Sequence, residues 1–309
     1  MRKATERKSF VIRVKEPFNF NLTIKKPAGW SWISPYEVME QNKFWSTLRL
    51  RKGKLLGVKL NQRKKGIEAI IYSEEEVTEE QANETLNIFK IGLGADIDLN
   101  EFYGIAKKDS VLKHVIPDLY GMKPYFASSV FEKALLAICL QMAPIKRSNE
   151  MLDCITDNYG ENLTFDGKNL KHWPSTSRLR RVSEKELKEK CKLGYRAKFI
   201  NELSKVEHIP DITELWGKTT EEAIKELTDL PGIGKYSAGV ILSKNTFPID
   251  VWSSSIFHKL FFRKAPDKPR DVIEKVIEEA EKRYKKWKWE AFAYVLNDLP
   301  KLEPIIKNI

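Results

Sequence analysis

The chain has 309 residues, 42% of them hydrophobic, with 54 Lys+Arg against 43 Asp+Glu and a formal net charge of +11. That length predicts two domains with full cores, while no apolar run approaches a membrane span and none follows the basic start Met1–Lys8, so neither a membrane segment nor a secretory signal is expected. The positive balance favours a polyanionic partner, and the three cysteines (Cys139, Cys154, Cys191) are too few and too scattered for a disulfide framework.

Over the first hundred residues apolar side chains alternate. Phe10, Ile12 and Val14 do so, then Phe18, Phe20, Leu22 and Ile24, then the stretches 44–50, 55–60 and 67–71, with Arg51-Lys52-Gly53-Lys54 as a hairpin turn. Residues 1–105 therefore read as an antiparallel β-rich domain with one buried face. Thr78 and Gln81 have capping-box spacing and open a helix to about Lys90 that covers the sheet. From about Leu99 the period turns helical. Ser128 or Ser129 caps a helix carrying Val130, Ala134, Leu135 and Ile138. Further helices are predicted at 146–158, 184–190, 195–205, 220–228, 236–244, 251–262 and 271–284, with a last one after Trp289. The chain is thus α+β: a β-rich N-terminal domain, then an all-α body over 106–309.

The stretch Leu230-Pro231-Gly232-Ile233-Gly234-Lys235-Tyr236-Ser237-Ala238-Gly239, followed by Phe247-Pro248-Ile249-Asp250, carries the chemistry. Thr219 and Glu222 open a helix to about Thr228. Gly232 and Gly234 permit a tight hairpin that approaches another molecule closely. A second helix starts at about Gly234, and its first N–H groups suit a phosphate oxygen, with Lys235 adding a cation. The plain alternative is a helix-loop-helix corner with Asp250 as a cap or salt-bridge partner.

This hairpin and its following Asp resemble the helix-hairpin-helix DNA glycosylases. The order of a β lobe before a helical body resembles the branch containing 8-oxoguanine DNA glycosylase and 3-methyladenine DNA glycosylase II, and so does Lys192-Leu193-Gly194-Tyr195-Arg196-Ala197-Lys198-Phe199-Ile200. The resemblance implies a TATA-binding-protein-like sheet domain and a body of two lobes flanking an active cleft. It also implies a monomer acting on double-stranded DNA that contains a damaged base, inside the cell and away from membranes. No cysteine follows Asp250, which separates the chain from the iron–sulfur branch. No organic cofactor is expected, and the four histidines lack metal-ligand spacing.

The resemblance gives Asp250 the catalytic role: one carboxylate near C1′ stabilises the cation that builds on the sugar and orients water. Bifunctional members carry a lysine two residues after the last hairpin glycine, and here that position is Tyr236. A phenol cannot form an imine, so a monofunctional hydrolase is expected. Tyr236 otherwise lines the pocket or packs in the core. Gln141 or Met142 is expected to plug the gap left by the extruded base, unless both merely end a helix. Arg147 is expected to read the opposite base or a phosphate, unless it faces solvent. Trp252, Trp289 and Phe292 are expected as aromatic pocket walls that suit a cationic alkylated purine, or else as core. The backbone carbonyls of Thr228, Leu230 and Ile233 are expected to hold a monovalent cation that bridges to phosphate. Two alternatives stay open: an 8-oxoguanine or deaminated-base glycosylase without lyase activity, and a non-catalytic binder of damaged DNA.

Overall fold

A computed structural model describes residues 2–27, 37–64 and 66–308. Five antiparallel strands form the N-terminal sheet in the order Glu6–Ile12, Gly66–Ser73, Leu55–Arg63, Lys43–Arg49, Val38–Glu40. Phe44, Leu48, Leu56, Val58, Leu60, Ile67, Ala69 and Ile71 bury their side chains, as expected from alternation that places every second residue on one face. The turn at 51–54 joins Lys43–Arg49 to Leu55–Arg63 as the sequence predicts. The helix Glu79–Gly92 starts at Thr78 with a complete capping box to Gln81 and contributes Ile88 and Phe89 to the same core as the sheet.

One predicted strand is a helix. Phe20 and Ile24, read as alternating, are also four residues apart, and in the helix Phe20–Lys25 they share its buried side. Asn19 decides between the two patterns by accepting the Leu22 N–H at 3.0 Å as N-cap. The body also departs from all-α. Glu161–Phe165 and Lys168–His172 form a hairpin, joined on its other edge by Arg2–Lys3 in a parallel pair. Asp166 and Gly167 take positive φ of 47° and 73° at its turn, where Asp-Gly is favoured. His172 anchors this hairpin, bonding Glu132 at 2.7 Å and Thr47 at 2.8 Å. The cysteines bring a second correction. Cys154 in the helix Ile145–Tyr159 and Cys191 at the end of the helix Glu184–Lys190 are joined in a disulfide across 37 residues, and only Cys139 is free. Their scatter along the sequence hides the packing that brings their Cα atoms to 5.4 Å.

Two large cores result. The first joins the sheet to helices of the body as far as Leu242. The second joins residues 99–125 to 247–302 and holds Phe247, Phe257, Phe292, Tyr284 and Trp289. No helix among the described residues is long and apolar enough to cross a membrane.

Candidate active site at a helix hairpin

The helices Thr220–Thr228 and Lys235–Leu242 pack against each other and are joined by the predicted turn. Thr219 caps the first through a full capping box with Glu222. Gly232 is required on two counts. Its φ is +77°, and a Cβ there would lie 2.7 Å from Cβ and Cγ of Phe199. Gly234 is the N-cap of the second helix and faces open space, and among the described residues no side chain caps that helix's first amides. Lys235 is exposed beside them. An uncapped helix N-terminus with a neighbouring ammonium is a place for an anion. Within the turn, Leu230 carbonyl already accepts the Ile233 N–H at 3.1 Å. Among the described residues no group of three or more His, Cys, Asp or Glu could hold a metal ion.

Asp250 caps the helix Val251–Phe262, so the cap reading and the catalytic reading apply to the same carboxyl. Its Oδ1 accepts the Ser253 N–H at 2.7 Å and the Ser253 hydroxyl at 2.6 Å, which fixes the group rigidly. Oδ2 takes no hydrogen bond from the described residues, and the side chain is only half-buried. Tyr236 sits near enough to feel this charge. Burial, reinforced by the Asp250 carboxylate, pushes its phenol well above the ordinary value, so the group stays a neutral donor. Tyr236 lies on a helix of the first core and Asp250 caps a helix of the second, so the pair spans the two.

The structure separates Gln141 from Met142. Met142 adopts a left-handed φ of +47° and projects into solvent with 81% of its surface exposed. Gln141 turns inward instead, donating from Nε2 to the Gly232 carbonyl at 2.7 Å and to the Ser237 hydroxyl at 3.2 Å. Arg147 bonds the Lys192 carbonyl and lies 3.3 Å from Glu150, so it braces a loop. The aromatic walls divide as well. Trp252 is 59% exposed beside Asp250. Trp289 and Phe292, at 1% and 3%, lie in the second core, where Phe292 stacks on Phe257 and Trp289 donates to the Pro124 carbonyl at 2.8 Å. Five of the eight exposed large apolar side chains among the described residues are Met142 and Ile145, which flank the end of the helix Val130–Leu140, Tyr195, and Val251 and Trp252, which follow Asp250.

Sequence reading missed a buried polar cluster. Tyr125 hydroxyl bonds Glu290 Oε1, while Glu290 Oε2 has no partner among the described residues. Burial pushes the Glu290 carboxyl up to about 7. Apart from this pair, Lys133, which donates to the Ile241 carbonyl at 3.2 Å, is pulled down to about 7 by its own burial. Tyr125 and Glu290 stand 165 residues apart, so no local signal in the sequence pairs them.

No family model matches the chain. It is 25% identical to a probable N-glycosylase/DNA lyase of Methanothermobacter thermautotrophicus over 53% of this chain and 60% of that one. It is 22% identical to a DNA-3-methyladenine glycosylase of Bacillus subtilis over 50% of this chain and 54% of that one. The chain thus spans little more than half the length of these curated relatives. Among solved structures, the 3-methyladenine DNA glycosylase of Archaeoglobus fulgidus superposes with a TM-score of 0.73 at 22% identity, covering 94% of this chain and 97% of the other. The fold is therefore that of a DNA glycosylase structure over nearly the whole chain, a sheet domain followed by a largely helical body. The resemblance drawn from the hairpin is borne out, since the relatives and neighbours are DNA glycosylases.

Proposed function

We propose that this chain is a DNA base-excision glycosylase that extrudes a damaged purine, of the alkylated 3-methyladenine class, and hydrolyses its N-glycosidic bond. The observation that carries the reading is the Asp250 carboxyl. One oxygen is locked by its own helix, the other takes no hydrogen bond from the described residues, and the charge lies near Tyr236 in the first turn of a helix that no described side chain caps. The reaction follows from that placement. The amides of the second hairpin helix and Lys235 hold a backbone phosphate. The target nucleotide leaves the stack, and Met142 enters the gap. As the bond from C1′ to the base nitrogen breaks, the base departs with the electron pair and the sugar becomes cationic. Asp250 stabilises that cation, orients a water whose oxygen joins C1′ and accepts the proton that this water loses, leaving an abasic site and the free base.

Tyr236 occupies the place where a lysine would be needed for an imine, and its phenol stays protonated. Water is therefore the nucleophile, and the bond-breaking stops at hydrolysis. This favours the role named for the Bacillus relative over the lyase role named for the Methanothermobacter one. Trp252, exposed beside Asp250, is placed to stack on a cationic base, with Trp289 and Phe292 as packing behind that wall. A singly charged cation at the hairpin would take the neutral carbonyls of Thr228, Leu230 and Ile233, of which that of Leu230 also accepts the Ile233 N–H. Bound there, it would screen the phosphate.

The test incubates the protein with duplexes carrying alkylated purines, hypoxanthine, 8-oxoguanine or uracil, then cleaves abasic sites with alkali. Release of an alkylated purine is expected. Release of 8-oxoguanine alone would overturn the substrate class, and release from no duplex would overturn the enzyme. Borohydride is expected to trap no protein–DNA adduct. Asp250→Asn should lower release by about 100-fold or more while duplex binding persists; undiminished release would remove Asp250 from its role.

A further inference from the structure

The Met142 wedge poses a mechanical problem. A methionine that is 81% exposed has no packing partners to hold it, and its backbone sits in a left-handed conformation that a non-glycine residue keeps only when its surroundings impose it. The imposing contacts all pass through its neighbour. Gln141 caps the helix Val130–Leu140. Its carbonyl accepts from the Arg196 guanidinium, and the Tyr195 hydroxyl stands 3.5 Å away. Its side-chain nitrogen reaches 91 residues along the chain to the Gly232 carbonyl, and in the same motion to the Ser237 hydroxyl. Gly232 is the left-handed residue of the hairpin, and Ser237 lies in the first turn of the helix whose first amides have no side-chain cap among the described residues. One planar amide thus spans the two parts of the proposed strand grip.

We propose that Gln141 is a positioning residue that latches the Met142 wedge to the hairpin, so that the point of insertion keeps a fixed register from the gripped phosphate. The inference rests on the duplex-binding half of the reading above and adds the device that aligns its two contacts. Ending a helix does not require this bond, since an amide at a half-buried position can be satisfied by water. Two directed protein acceptors on the DNA-facing element make it a strut. With the strut cut, the loop from 141 to 144 relaxes, and the wedge no longer arrives where the phosphate grip expects it.

The experiment reads the wedge without base release. The probe is a duplex with a tetrahydrofuran abasic analogue facing 2-aminopurine, whose fluorescence rises when it is unstacked. Wild type is expected to raise the signal on binding. Met142→Ala and Gln141→Ala are each expected to lower that rise about fivefold or more, and the double variant no further, because both cut one device. A merely structural loss would add to the Met142→Ala effect, so additivity overturns the proposal. Gln141→Glu keeps length but offers the Gly232 carbonyl no donor, and it should match Gln141→Ala; a full signal from it overturns the latch. Ser237→Ala removes one acceptor and leaves the hairpin's own, so it serves if the Gln141 variants fail to fold, and a signal equal to wild type counts against the strut. No rise with wild type itself also overturns it. Wild type that unstacks the probe yet releases no base from any duplex defeats the enzymatic reading and leaves the latch standing.

Discussion

The Glu290 carboxyl is 4% exposed, with one oxygen on the Tyr125 hydroxyl and the other without a partner among the described residues. Burial raises it to about 7, whereas in the unfolded chain it titrates near its ordinary 4.5. The folded state therefore holds a proton that the unfolded state has lost between those two values, and stability falls as pH rises through that window. Above about 7 both states are ionised and the loss stops growing, at on the order of 3 kcal/mol. Glu290→Gln keeps an acceptor for Tyr125 and cannot ionise. The difference in unfolding free energy between variant and wild type should be flat below pH 4.5 and shift in favour of the variant from there to pH 7. Denaturant titrations at a series of pH values measure it, and a difference that does not change with pH removes the buried acid. Asp250 is the contrasting case. It is held by two bonds from Ser253 and is only half-buried, so one acid is kept dry in the core and the other is left reachable.

At the scale of elements, Gly232 and the disulfide carry measurable weight. Gly232→Ala puts a Cβ 2.7 Å from Phe199 on a backbone at φ +77°. Strain and displacement together should cost about 1–3 kcal/mol and weaken duplex binding, read by denaturation and by titration with DNA. The Cys154–Cys191 bridge closes 37 residues, and replacing both by Ser should remove about 3–4 kcal/mol from unfolding. Reducing the wild type should produce the same drop in Tm, and an unchanged Tm on reduction would show that the bridge contributes nothing. These elements also mark what could be read in advance. The capping boxes at Thr78 and Thr219, the glycine hairpin and the cap at Asp250 rest on neighbours within a few residues, and they were legible. The Asp166-Gly167 turn went unread, because the alternation of Leu163, Phe165 and Leu170 around it is short and lies between helical segments. The Cys pair, the Tyr125–Glu290 bond and the burial of Trp289 and Phe292 depend on which helices meet, and no local pattern states that.

The two cores meet where the chemistry is proposed. The second hairpin helix belongs to the core that includes the sheet, and Phe247, three residues before Asp250, belongs to the core closed by the C-terminal helices. In the proposed reaction a duplex gripped by the first core must present its sugar to Asp250 on the second, so binding rather than chemistry sets the alignment. The net charge of +11 supplies long-range attraction for that binding, but only the cations and amides that touch phosphate release counterions. If the grip holds about two to four phosphates, raising salt from 50 to 200 mM should weaken duplex binding roughly 10- to 150-fold. Lys235→Ala should lower the slope of log K against log salt by about one, because a single phosphate contact is lost. The same variant should leave the optimum pH of base release where it was, since the proposed role of Lys235 is to hold phosphate and not to act at C1′. A slope that Lys235→Ala does not change would move the strand away from the hairpin, and with it the link between the uncapped amides and the free oxygen of Asp250.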